Sequence, residues 1–315
     1  MKLIHCLLLC FAVMLSACES LVTVVSQDKL PDTEAKLVVQ AFLNPQAART
    51  TVIVTESAPL FGTSPDRGNV IKNAIVKLSD GTKEVTLSFD SAGASYGIDK
   101  ARFAIVAGKT YSLSVSDGQR SIQATCVVPA KQVIVKSFVI DTIFSNNGFL
   151  IDTSLTVKMS WQDIAGEANY YRLRAYLELE YTHGEGNSVE TFRERRVRNR
   201  FNVDWDRTIG RNDYQSDANL DGAILTSPLG TFELPETITY DFGTGKKFVV
   251  RPKNKIVSIT FDLYNADEAY FKYHRSLQLR NNENPFSEPS LIFTNINGGL
   301  GCFSAYNIGT RIYKP

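Results

Sequence analysis

Short runs of alternating apolar and polar residues, parted by Asp-Gly pairs, limit this chain more than any other feature. "AIVKLS" and "EVTLSF" flank Asp80-Gly81, and "YSLSVS" and "SIQATCVV" flank Asp117-Gly118. Alternation puts every second side chain on one face, which is the period of a half-buried strand. Asp and Gly tolerate the positive φ angles of a tight turn, so each pair predicts a hairpin. Val76, Leu78, Val85, Leu87 and Phe89 would face one way, as would Tyr111, Leu113 and Val115. With "KLVVQAFL" and "TTVIVT" upstream, strands of this length and spacing predict an antiparallel β-sandwich over residues 36–130, with Pro129 as its stop.

A second β unit is expected over residues 131–315. "TSLTVKMSW" puts Leu155, Val157, Met159 and Trp161 on one face. "YYRLRAYLELEY" sets Tyr171, Leu173, Ala175, Leu177, Leu179 and Tyr181 against Arg172, Arg174, Glu178 and Glu180. "KIVSITFDL" adds Val257, Ile259, Phe261 and Leu263. Residues 182–245 are polar and Gly-rich and read as a long irregular insertion. One helix is expected near the C-terminus. Asn265 would cap it with Glu268 three residues on, Ala266, Ala269, Tyr270, Tyr273 and Leu277 form its stripe, and Asn281 and Asn282 end it. The stripe should pack on the second sheet.

The front end reads as an export leader. Lys2 precedes the apolar run "LIHCLLLCFAVML", too short to span a bilayer comfortably, and "LSAC" closes it. This is the bacterial lipobox pattern, in which the cysteine is lipidated and the chain is cut before it. Residues 1–17 would leave, Cys18 would carry the lipid, and residues 18–35 would be a tether. Acyl chains contribute about 0.8 kcal/mol per buried CH2, so the anchor would be firm. The precursor has 34 Lys and Arg against 33 Asp and Glu. Removing Lys2 balances them, which argues against a nucleic-acid binder. Outside the leader and anchor only Cys126 and Cys302 remain. They could pair, or Cys126 could be a buried free thiol.

Four patterns could carry chemistry. "GASYG" places Ser95 in G-x-S-x-G, but a loop and strand follow where a nucleophile elbow needs a helix. A Gly-rich bend is the better reading, and no catalytic residue is assigned. "DANLDG" places Asp217, Asn219 and Asp221 like the start of a calcium loop, yet Pro228 occupies the twelfth position, where an EF-hand needs an acid. An Asx-rich turn is favoured over a non-EF calcium site. "RERRVRNR" carries Arg193, Arg195, Arg196, Arg198 and Arg200, which could contact an anionic glycan, phosphate or acidic partner. A solvated strand is the commoner meaning of such a run. "NINGGLGCF" lacks the Lys-Ser/Thr and helix of a phosphate loop, so tight turns explain it. No cofactor is expected.

The order of "LSAC", "KLVVQAFLNP", "IKNAIVKLSDGT", "AGKTYSLSV", "QATCVVP", "WQDIAGEANYYRLRAYLE" and "NPFSEPSLIFTNINGGLGCFSAY" resembles the Bacteroidota lipoproteins grouped as domain of unknown function 4249. The resemblance implies two immunoglobulin-like or fibronectin-like sandwich units on an outer-membrane lipoprotein. It also implies a role as accessory to a TonB-dependent transporter in nutrient uptake. A surface adhesion or structural envelope module is the alternative, and a serine hydrolase a distant third. Glu19 just after Cys18 is the one acidic residue favouring display on the cell surface.

Overall fold

The computed structural model describes residues 34–58, 69–146, 151–208, 212–281 and 291–315. The leader, Cys18 and most of the expected tether lie outside these residues. The described chain is mostly β. No helix among the described residues is long and apolar enough to cross a membrane.

Eight strands come first: β1 (Leu37–Leu43), β2 (Arg49–Glu56), β3 (Asn69–Val70), β4 (Ile75–Ser79), β5 (Glu84–Asp90), β6 (Ser95–Asp99), β7 (Thr110–Ser116) and β8 (Ser121–Val127). Both Asp-Gly hairpins form, β4 with β5 and β7 with β8. At the first turn Gly81 takes φ +85°. The Asp80 carboxylate there accepts the Thr82 hydroxyl at 2.8 Å and the Lys83 amide at 2.8 Å. These hydrogen bonds hold its pKa well below the usual carboxylate range. Asp117 does the same at the second turn. The Arg120 amide is the first cause, and its pKa falls to about 2.

The first end of β5 pairs with β4 and its last three residues with β6, so one strand passes between two parts of a curling sheet. At the far edge Gln123 and Asn297 exchange backbone hydrogen bonds of 3.2 and 2.9 Å. Val39, Val52, Val54, Val76, Leu78, Tyr96, Tyr111, Leu113 and Val115 fill the interior.

The second core lies between two sheets. One contains β11 (Tyr170–Glu185), β12 (Arg193–Asn202), β14 (Tyr214–Ser216), β19 (Lys255–Ala266) and β20 (Leu300–Tyr313). The other contains β9 (Ser137–Asn146), β10 (Ile151–Gln162), β13 (Asp204–Trp205), β15 (Ile224–Thr226) and β16 (Gly230–Glu233). A separate ribbon joins β17 (Ile238–Asp241) to β18 (Lys247–Val250). Trp161, Leu173, Leu177, Phe232, Ile259, Phe261 and Leu263 are fully buried between the layers.

Strand β20 belongs to both halves. Its second part pairs antiparallel with β19, and its first part runs parallel to β1. Phe303 and Ala305 thereby enter the first core, and a 13-stranded sheet spans the molecule. The Gly-rich segment serves this approach as well as a turn. Gly301 sits at φ +104°, and a Cβ there would lie 2.0 Å from the Val39 carbonyl oxygen.

Three expectations need correction. Residues 182–245 are not an irregular insertion: β11 runs on to Glu185, and β12 to β17 follow. β12 hid because it is exposed on both faces and so has no apolar period. In β19 the register shifts opposite Glu178 and Leu179, so Ile256 packs on the core in place of Val257. The helix, α1 (Glu268–Asn281), is capped by Asp267, whose Oδ1 accepts the Tyr270 amide at 2.8 Å. Asn265 lies inside β19 and donates to the Lys131 carbonyl instead. Asn282 lies outside the described residues.

Candidate functional site

The "DANLDG" loop folds against the end of β10. Asp217 and Asp221 meet Asp163, and oxygens of the three carboxylates all lie within 4.8 Å of one another. Asp163 and Asp217 are buried and Asp221 is exposed. Alternation sets the inward direction of Trp161 and hence of Asp163 two residues on. Asp163 accepts the Tyr171 hydroxyl at 2.7 Å and the Gly222 amide at 2.8 Å. Asp221 accepts the Gly166 amide at 2.8 Å. Burial, then the Asp163 carboxylate, push the Tyr171 phenol far up, so it stays a donor. Asn219 is exposed at φ +64°, a backbone position that Asn tolerates in a turn. The arrangement offers hard oxygen donors, which suit calcium-class cations better than zinc. Asp163 was missed in the sequence because no local spacing connects it to Asp217. The only signal was an acid directly after an apolar-faced strand.

The arginines of β12 are engaged within the sheet. Arg196 pairs with Glu180 at 2.7 Å, Arg198 with Glu178 at 2.7 Å, and Arg195 with Glu185 at 3.5 Å. Arg193 donates to the Phe192 carbonyl at 2.6 Å, and Arg200 stacks 3.7 Å from the Tyr176 ring centroid. These diagonal cross-strand pairs explain a basic run opposite a glutamate-bearing strand. Ser95 opens β6 at the end of a bend from β5 and is followed by strand, so the helix of a nucleophile elbow is not there.

A family profile described as "Domain of unknown function (DUF4249)" matches residues 23–312. The chain belongs to the DUF4249 family. No curated protein matches it.

In this DUF4249 chain an aromatic and polar cluster lies under α1, at the junction of the two cores. Phe42 of β1 meets the rings of Tyr270 and His274 at 5.4 and 5.1 Å. The Gln40 amide donates to the Tyr273 hydroxyl at 2.9 Å. Arg172 donates to the Tyr270 hydroxyl and lies 4.9 Å from the Tyr214 ring. His274 stacks on Tyr214 at 5.5 Å, and its Nε2 has no hydrogen-bond partner among the described residues. Burial, with Arg172 and Arg174 nearby, pushes its pKa down to about 3. Asp267 is raised to about 7 by burial, against the Tyr270 and Ala305 amides that donate to it. The helical stripe therefore covers the seam between the units and reaches β1, rather than the second sheet alone. Cys126 and Cys302 of this DUF4249 chain are both free and buried.

Proposed function

We propose that this DUF4249 chain is a lipid-anchored outer-membrane accessory of a TonB-dependent transporter, acting in nutrient uptake by binding and not by catalysis. The observation that carries the reading is Cys18 at the end of "LSAC" behind a charged and then apolar leader. Its resemblance to Bacteroidota lipoproteins supplies the partner class.

The fold supports a scaffold role. Two cores share β20, and α1 covers their seam. The described edge of β9 away from β10 is unpaired, and along it Val139 and Phe144 are 66% and 69% exposed. An extended segment of a partner adds to such an edge through main-chain hydrogen bonds, with apolar side chains giving specificity. The arginine strand is already paired internally and contributes less to this reading.

Deletion of the gene tests the reading against the adhesion alternative. Loss of TonB-dependent uptake with normal attachment and envelope integrity is expected. Normal uptake with altered attachment would overturn it in favour of an adhesion module.

A further inference from the structure

We infer that the cleft between the 212–226 segment and α1 binds a small organic carboxylate, an anionic head on an apolar body. The cleft has a volume of about 390 Å³, at the small end of the range for small-molecule sites. β14, β15 and the turn between them form one side. Phe271 and Arg275, one helical turn apart on α1, form the other.

Two polar side chains lining the cleft are nine-tenths buried and incompletely satisfied. Asn212 is 8% exposed and Tyr214 is 7% exposed. The Asn212 Oδ1 accepts the Tyr214 amide at 2.7 Å, which fixes the oxygen and leaves the carboxamide nitrogen free. Neither that nitrogen nor the Tyr214 hydroxyl has a hydrogen-bond partner among the described residues. Donors buried in this way cost free energy until an acceptor meets them. The charge is one-sided as well. Arg275 is the one ionised side chain lining the cleft, and it has no ion pair among the described residues. Its hydrogen bond to Gln278 is long, at 3.5 Å. Asp213, beside Asn212, is turned to Arg172 at 3.9 Å and accepts the Gln278 amide at 2.9 Å, which ties α1 to β14. A guanidinium takes a carboxylate through two parallel N–H bonds, and Asn212 and Tyr214 supply further donors.

The apolar part of the cleft asks for more than an inorganic ion. Leu220 and Ile224 are 49% and 57% exposed, and Phe271 is held against the Tyr170 ring at 5.1 Å. An apolar body laid on them takes that surface out of water. Leu220 is presented by a fixed loop. The Gly222 amide donates to Asp163 at 2.8 Å, and the Asp217 amide donates to the Asn169 main-chain carbonyl at 3.2 Å. The Asn169 carboxamide in turn donates to Asp163 and to the Ile164 and Glu167 carbonyls.

Ligand-observed NMR on the purified chain with phenylacetate, 4-phenylbutyrate, hexanoate and octanoate tests the cleft. At least one should bind, and its uncharged amide should bind about tenfold more weakly or not at all. Arg275→Gln should keep the fold by circular dichroism and weaken binding by about tenfold. Tyr214→Phe removes a hydroxyl that bonds nothing among the described residues, so it should leave the urea midpoint unchanged and weaken binding severalfold. No binding of any of these acids, equal binding of acid and amide, or unchanged affinity in Arg275→Gln would each overturn the site. None of these outcomes bears on the transporter reading, which rests on other residues.

Discussion

A Cβ added to Gly301 would lie 2.0 Å from the carbonyl oxygen of Val39. This contact is where the end of the chain is laid beside its beginning, and it ties the two cores into one sheet. Gly301→Ala should cost about 3 kcal/mol, combining positive-φ strain with forced separation of two backbones. Gly243 is the control, at φ +74° with nothing within 4 Å of its Cβ. Gly243→Ala should cost about 1 to 2 kcal/mol. Urea unfolding compares them, and equal losses would mean that β20 does not need so close an approach to β1.

Asp267 and His274 should pull stability in opposite directions with pH. Asp267 is raised in the fold from 3.8 to about 7, so its contribution is full below 3.8 and is lost as pH rises through 7. His274 is lowered from 6.5 to about 3, so its contribution is present above 6.5 and lost as pH falls. Between pH 5 and pH 6.5 the two offset each other. Asp267→Asn should leave stability falling with acid across that window, and His274→Gln should leave it rising. Urea midpoints at several pH values read both slopes.

The thiols of Cys126 and Cys302 should be silent in the native protein. Burial is the first cause that raises both, Cys302 to about 12 and Cys126 further. Maleimide should label neither until the chain is unfolded, and a reductant should leave the thermal midpoint unchanged. Rapid native labelling, or a midpoint lowered by reductant, would contradict the buried free state.

Much of this fold can be read where burial leaves a local period. Leu155, Val157, Met159 and Trp161 alternate in the sequence because one face of β10 is core, and Asp80-Gly81 marks a turn because its φ angle demands it. Where the cause is remote, the residues are mute. β12 is laddered to β11 through its backbone and exposes nearly all its side chains, among them Arg196 and Arg198 paired with Glu180 and Glu178, so it shows no apolar alternation. A bulge moves Ile256 into the place Val257 would take by simple counting. Asp267 and Asn265 are both good caps, and the pairing of β19 with β11 and β20 as far as Ala266 selects between them. Asp217 and Asp221 are visible as a motif, but Asp163 and Asn169 join them only through the folding of β10 and β11.

The edge of β9 should matter for binding and not for folding. Val139→Glu with Phe144→Glu places charge on two exposed positions, where surface substitutions change stability little. The urea midpoint should stay close to that of the unaltered chain while recovery of the transporter falls. Undiminished recovery would move the interface elsewhere on the molecule.

The decisive measurement is affinity isolation of the full chain from gently solubilised envelopes, read by mass spectrometry. A TonB-dependent β-barrel should come with it in comparable amount, and the chain's first peptide should begin at an acylated Cys18. Recovery of the chain with no β-barrel partner would contradict the proposed function.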